Sequence, residues 1–235
     1  IAKGLFPPGR TLYEHQKRGL LETIRYGKDL VVTTGTGSGK TETFLLPMLA
    51  QLARESATWE AASKPSKDRK WWKHDRGRMS QWEHVKRPSA LRALVLYPLN
   101  ALVEDQLRRL RQTLDNDQIR AWLDTYRGGN RITFGRYTGL TPISGIETKD
   151  SVARLKTELA TMDTAYQQIV AGGGASDEAK WYFANPDGGE MWSRWDMQET
   201  PPDILITNYS MLNIMLMRTI EASIFDDTRR WLESD

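Results

Sequence analysis

Apolar residues along this chain come in short clusters, and their spacing switches between two periods. Residues 29–33, 91–97, 131–137 and 203–207 are short apolar runs bounded by turn residues: Pro98 closes the second and Pro201-Pro202 precede the last. Runs of that length predict buried strands. Helical spacing occupies the stretches between them. A short helix is expected around residues 20–24, after the Pro7-Pro8-Gly9 turn, and a longer one over about 41–55. Residues 101–114 place Leu102, Val103, Leu107, Leu110 and Leu114 near one stripe, and 209–220 carry a Met- and Leu-rich face. In that last segment Met211, Leu212, Ile214, Met215 and Leu216 read as core. Strands alternating with helices predict an α/β fold, a mostly parallel sheet covered by helices on both faces. Such sheets collect ligands at the carboxyl ends of their strands.

Two stretches interrupt the alternation and read as insertions, about 56–90 and about 141–200. Between Glu60 and Arg92 there are ten Lys/Arg and four Asp/Glu, with Trp59, Trp71, Trp72 and Trp82 in or beside the segment. Basic residues mixed with aromatics can grip a phosphate backbone and stack on bases. They can equally form a solvated insertion whose tryptophans pack on the parent domain. The second stretch predicts a helix over 151–170, a mobile Gly172-Gly173-Gly174 segment and a loop anchored by Trp181, Trp192 and Trp195.

The chemistry begins after the first apolar run, with Thr34-Gly35-Thr36-Gly37-Ser38-Gly39-Lys40-Thr41. A glycine-rich turn between a strand and a helix presents successive backbone N–H groups to phosphates, and the helix start adds its positive end. In this phosphate loop Thr36, Gly37, Ser38 and Gly39 would wrap the phosphates of ATP. Lys40 would reach the β- and γ-phosphates, and Thr41 would ligate Mg²⁺.

Composition adds mainly exclusions. The 235 residues allow one large α/β domain or two small ones. There is no cysteine, so disulfides and thiolate metal sites are excluded. The net charge of +3 does not by itself demand a nucleic-acid partner. His15, His74 and His84 form no recognisable metal set. No membrane-spanning run or signal peptide is visible, so no membrane partner is expected, and a cytoplasmic location suits the cysteine-free composition.

Further motifs follow the other apolar runs in order. Upstream of the phosphate loop is Leu12-Tyr13-Glu14-His15-Gln16. After the second run come Tyr97-Pro98-Leu99-Asn100-Ala101-Leu102, after the third Gly135-Arg136-Tyr137-Thr138-Gly139, and in the fourth Asp203-Ile204-Leu205-Ile206-Thr207-Asn208-Tyr209. With the phosphate loop, this series resembles the first RecA-like domain of a superfamily 2 helicase or translocase of the DEAD/DEAH-box-like kind. The resemblance runs along 1–235 apart from the two insertions. The missing first glycine of the phosphate loop, here Thr34, is ordinary in that family.

The resemblance implies an ATP-driven motor. Gln16 would read the adenine edge, with Tyr13 or Phe6 against the ring; the plainer reading of Gln16 is a polar helix start. Pro98, Asn100 and Ala101, then Thr138 and Gly139, then Thr207 and Asn208 would hold the backbone of a nucleic-acid strand. Arg108, Arg109 and Arg111 would track phosphates or face water. The sequence is similar to large bacterial DNA helicases, a branch with members in phage defence, so DNA is favoured over RNA and defence-complex proteins are possible partners. The Asp-Glu pair that holds Mg²⁺ in the family is missing. The chain therefore reads as the N-terminal part of a motor, ending before that motif and lacking the second RecA-like domain, and inactive by itself. A nucleotide-gated clamp that binds without unwinding is the competing reading.

Overall fold

The computed structural model describes residues 2–6, 9–35, 37–63, 70–75, 77–98, 101–172 and 179–234. Thr36 and Asn100 of the expected site, the prolines of the Pro7-Pro8-Gly9 turn and Gly173-Gly174 lie outside the described residues.

The sheet has four strands: β1 (Ala93–Leu96), β2 (Phe134–Arg136), β3 (Glu190–Met191) and β4 (Ile204–Thr207). Their order is β1-β4-β2-β3, and every pairing is parallel. Three strands fall inside the expected runs. The fourth, β3, lies in the segment read as an insertion, so part of 141–200 belongs to the sheet. Two residues are too short a run to show a period, which is why patterning passes over them. A further helix, α5 (Asp117–Tyr126), begins at Asn116, whose side chain accepts from the Ile119 N–H.

The expected first strand is not formed. Residues 29–33 carry no ladder, and Val31 is 93% exposed. A strand needs a neighbour to satisfy its backbone, and among the described residues this one has none.

Helices cover both faces. On one side α1 (Ala2–Leu5), α3 (Lys40–Glu55) and α4 (Ala101–Leu114) bury Leu45, Leu49, Val103, Leu107 and Leu110 against Phe134, Ile204 and Ile206. The helix α2 (Glu14–Ile24) packs on α3. On the other side Tyr137, Met191 and Leu205 meet Trp82 and residues of α7 (Arg194–Glu199), α8 (Tyr209–Met217) and α9 (Ala222–Leu232). The core expectation for α8 fails in part. Met215 is buried, but Ile214, Leu216 and Met217 are exposed. This helix is apolar nearly all round, and a sheet can cover only one side of it.

The two interruptions pack on each other. Trp71 and Trp72 join Leu155 and Leu159 of α6 (Lys149–Ala171), Trp192 and Trp195 in a separate cluster. Arg78 ties the segments together through Asp196 at 2.8 Å and through Glu147 and Glu199 at 3.2 Å. Trp71, Trp72 and Trp82 are buried, as the packing reading of the Trp-rich segment expects, while residues 64–69 of its basic stretch lie outside the described residues. A cavity of about 40 Å³ lies between Trp71, Trp72 and Trp192.

The base of the first segment is anchored below the sheet. Asp203 accepts from Arg87 at 2.5 Å and 2.6 Å and from Arg92 at 3.0 Å. It also accepts from the Thr133 N–H at 2.7 Å. Trp59 lies under both guanidinium groups, 3.8 Å and 5.3 Å from ring centre.

Candidate nucleotide and nucleic-acid site

Gly37 and Gly39 both adopt left-handed backbone, φ +76° and +77°. Any side chain would strain these positions, and a Cβ at Gly39 would lie 2.5 Å from the Gln16 amide nitrogen. The turn feeds directly into α3, with Gly39 as N-cap.

The loop is folded back on itself. Lys40 Nζ donates to the carbonyls of Thr34 at 2.6 Å and Gly35 at 2.7 Å. Ser38 Oγ donates to the Gly35 carbonyl at 2.8 Å and lies 2.7 Å from Thr34 Oγ1. The ammonium is thus held by neutral acceptors that a phosphate, carrying full charge, would outcompete. The Thr41 hydroxyl is half-buried in the first turn of α3 and makes no hydrogen bond among the described residues. These groups fit a nucleoside triphosphate with Mg²⁺: glycine backbone for phosphate oxygens, one cation and one free hydroxyl. Among the described residues no cluster of three or more His, Cys, Asp or Glu could hold a metal.

Gln16 is 1% exposed. Its Oε1 accepts from the Tyr13 N–H and its Nε2 donates to the Gly39 carbonyl, both at 3.0 Å. The amide therefore braces the phosphate loop against the start of α2. These two bonds leave one N–H and one lone pair of the amide unused. Of the two rings expected near it, Phe6 is buried in the core. Tyr13 remains at the surface, stacked on His15 with centroids 5.7 Å apart.

The other expected residues meet at the carboxyl ends of three adjacent strands. Because β4 pairs with both β1 and β2, Leu96 lies opposite Thr207 and Arg136 opposite Ile206. The ladder runs on past the strands, from the Tyr97 N–H to the Thr207 carbonyl at 3.0 Å and from the Tyr137 N–H to the Ile206 carbonyl at 2.9 Å. Pro98, Gly139 and Asn208 emerge side by side from this edge; Pro98 and Gly139 are exposed. Ala101 begins α4 beyond Pro98. Asn208 caps α8, accepting from the Met211 N–H at 2.8 Å.

Two side chains differ from expectation. Thr207 is fully buried, and its hydroxyl donates to the Tyr137 carbonyl at 2.6 Å. Thr138 is buried as well, its hydroxyl accepting from the Leu140 N–H at 3.1 Å. These hydroxyls staple neighbouring turns together and do not face a strand. The reason is local: Thr207 is the last residue of the fully buried β4, and Thr138 lies two residues beyond β2 in a buried turn.

None of the three α4 arginines is a solvated cation. Arg111 is buried, with Nε 2.6 Å from Glu190. Arg108 pairs with Asp105 and lies over Tyr182. Arg109 binds Asp105 at 2.8 Å and also Glu42, the residue after Thr41. That contact joins the phosphate-loop helix to the helix following Pro98. Patterning does not reveal it, because Glu42 is a lone acid on a helix start.

This domain is of the helicase type: a phosphate loop opens α3, and three motif turns share one sheet edge. The chain belongs to the DEAD/DEAH box helicase family, whose sequence pattern matches residues 13–137, just over half of it. It is also similar to Druantia protein DruE of Escherichia coli (strain UMEA 4076-1), at 32% identity over 270 aligned residues. That match takes in 95% of this chain but spans only 13% of the relative's length. No solved structure matches.

Proposed function

We propose that this chain is the N-terminal part of an ATP-dependent helicase or translocase acting on DNA. The observation carrying the proposal is the joining of two sites. The phosphate loop opens α3, the turns after β1, β2 and β4 open on one edge, and Glu42–Arg109 links α3 to α4.

In this reading Lys40 leaves the Thr34 and Gly35 carbonyls when ATP enters and neutralises charge on the β- and γ-phosphates. Thr41 would hold Mg²⁺, which when bound offsets phosphate charge and orients the triphosphate. The backbone around Gly37–Lys40 cradles the phosphates, and Gln16 holds that loop to α2 while offering its remaining valences to adenine. Residues at Pro98–Ala101, Thr138–Gly139 and Thr207–Asn208 hold one strand, chiefly through the backbone of the turns, since both threonine hydroxyls and the Thr138 N–H are engaged. Motion along the strand needs a second RecA-like domain closing on the nucleotide.

DNA as the track, and a place in phage defence with its partner proteins, are supported by the likeness to large bacterial DNA helicases and to the relative above. Lys40→Ala in the intact polypeptide tests the nucleotide assignment. ATPase activity should fall to background with the melting temperature unchanged. Unchanged turnover would remove Lys40 from the chemistry.

A further inference from the structure

Arg194 is the first residue of α7 and is 8% exposed. Its place is fixed by backbone. The Arg194 N–H donates to the Ile143 carbonyl at 3.1 Å, and Ser193 caps the helix through the Asp196 N–H at 3.1 Å. Its guanidinium lies over the Tyr137 ring, 4.9 Å from the centroid, and Nη2 donates to the Thr138 carbonyl at 2.8 Å. Nε is sealed from solvent with no partner among the described residues.

What sets Arg194 apart is the absence of a counter-charge. The other buried arginines have carboxylates: Arg87 has Asp203, and Arg111 has Glu190 and Glu104. Among the described residues no carboxylate comes within 4 Å of Arg194. The buried Glu221 accepts from the Tyr137 phenol at 2.9 Å and pairs with Arg218. Burying a cation without an anion carries a desolvation cost that nothing offsets. A stable fold that keeps such a group has a position waiting for an anion.

The surroundings say which anion. Thr138 leads into Gly139 and Leu140, the exposed turn at the carboxyl end of β2. We propose that Arg194 supplies a phosphate-binding point for the nucleic-acid backbone at this turn, contributed by the segment that interrupts the common domain. The inference rests on the motor reading, which brings a strand to that edge. The phosphodiester takes the place of the missing carboxylate. The guanidinium meanwhile keeps Thr138 in place through its carbonyl. The contact is to backbone, so it strengthens binding about equally across sequences.

The test uses the intact polypeptide, labelled single-stranded and duplex DNA, and a salt series, with Arg194→Met and Arg194→Lys beside the unaltered protein. Removing an uncompensated buried cation should leave the melting temperature unchanged or raised. Arg194→Met should weaken binding about tenfold, the scale of one charge-assisted hydrogen bond. It should also flatten the dependence of log affinity on log salt by about 0.7 on single strands or about 0.9 on duplex, the effect of one phosphate. Arg194→Lys should restore the slope. Wild-type affinity and slope in Arg194→Met would overturn the assignment. So would weaker binding with an unchanged slope, the mark of a purely structural residue. If the unaltered protein bound no nucleic acid, the motor reading itself would fall, and Arg194's role with it.

Discussion

Lys40 and Asp115 show how single side chains carry the account in opposite ways. Lys40 is singled out by its neighbours, a lysine after glycines between an apolar run and an amphipathic helix, and is proposed to meet phosphate. Its resting contacts with the Thr34 and Gly35 carbonyls were not legible, because they depend on backbone conformation. Asp115, at the end of α4, gave no signal at all. It is buried; its Oδ1 accepts from the Gly189 N–H at 2.7 Å and its Oδ2 has no partner. Burial pushes its carboxyl up to about 6 from an ordinary 3.8, against the lowering by the Gly189 hydrogen bond. The folded state therefore binds this proton more tightly than the unfolded chain. The resulting stabilisation is present at low pH and is lost as pH rises from about 4 through about 6. Asp115→Asn should raise stability at neutral pH by about 1–2 kcal/mol, within the roughly 1.4 kcal/mol per unit that links pKa to free energy. The gain should shrink toward pH 4. Denaturation midpoints at the two pH values check this, and an equal gain at both would contradict it.

At the level of elements, the helices and strands that pattern well are those with one covered face. The α4 stripe and the run around β1 are of this kind, while β4 reads as a continuous apolar run because both its faces are covered. Residues 29–33 pattern as a strand but find no neighbour among the described residues, and β3 is a strand too short to show a pattern. The Trp-rich segment could not be resolved from composition, since tryptophans that stack on bases and tryptophans that fill a core look alike in sequence. Its anchor is the Arg87–Asp203–Arg92 group beneath the sheet. Asp203→Asn would leave two guanidinium groups short of a counter-charge and should cost about 3–5 kcal/mol, the usual penalty for breaking a buried pair. Urea titration measures it, and a loss under ~1 kcal/mol would show that the group is dispensable. Between α3 and α4, Glu42 and Arg109 should be energetically coupled. A double-mutant cycle on Glu42→Gln and Arg109→Gln, read as nucleic-acid stimulation of ATPase, should show a coupling of about 0.5–3 kcal/mol. Strict additivity would mean that the contact does not join the two sites.

Across the whole molecule, the parallel sheet and the three motif turns at its edge were readable because each of those turns follows a strand, at β1, β2 and β4. The packing of two distant segments into one accessory cluster was not readable, because it depends on pairs such as Arg78 with Asp196, 118 residues apart. The sheet gathers the turns after β1, β2 and β4 at one edge, and under the proposed function that edge holds the strand while the phosphate loop, linked to it through Glu42–Arg109, holds the nucleotide. The most direct measurement is ATPase activity of the intact polypeptide with no nucleic acid, single-stranded DNA, duplex DNA and RNA in parallel. The account predicts turnover that rises strongly with DNA and is abolished by Lys40→Ala. Equal turnover with and without every polymer would contradict a motor and leave a nucleotide-gated binding protein in its place.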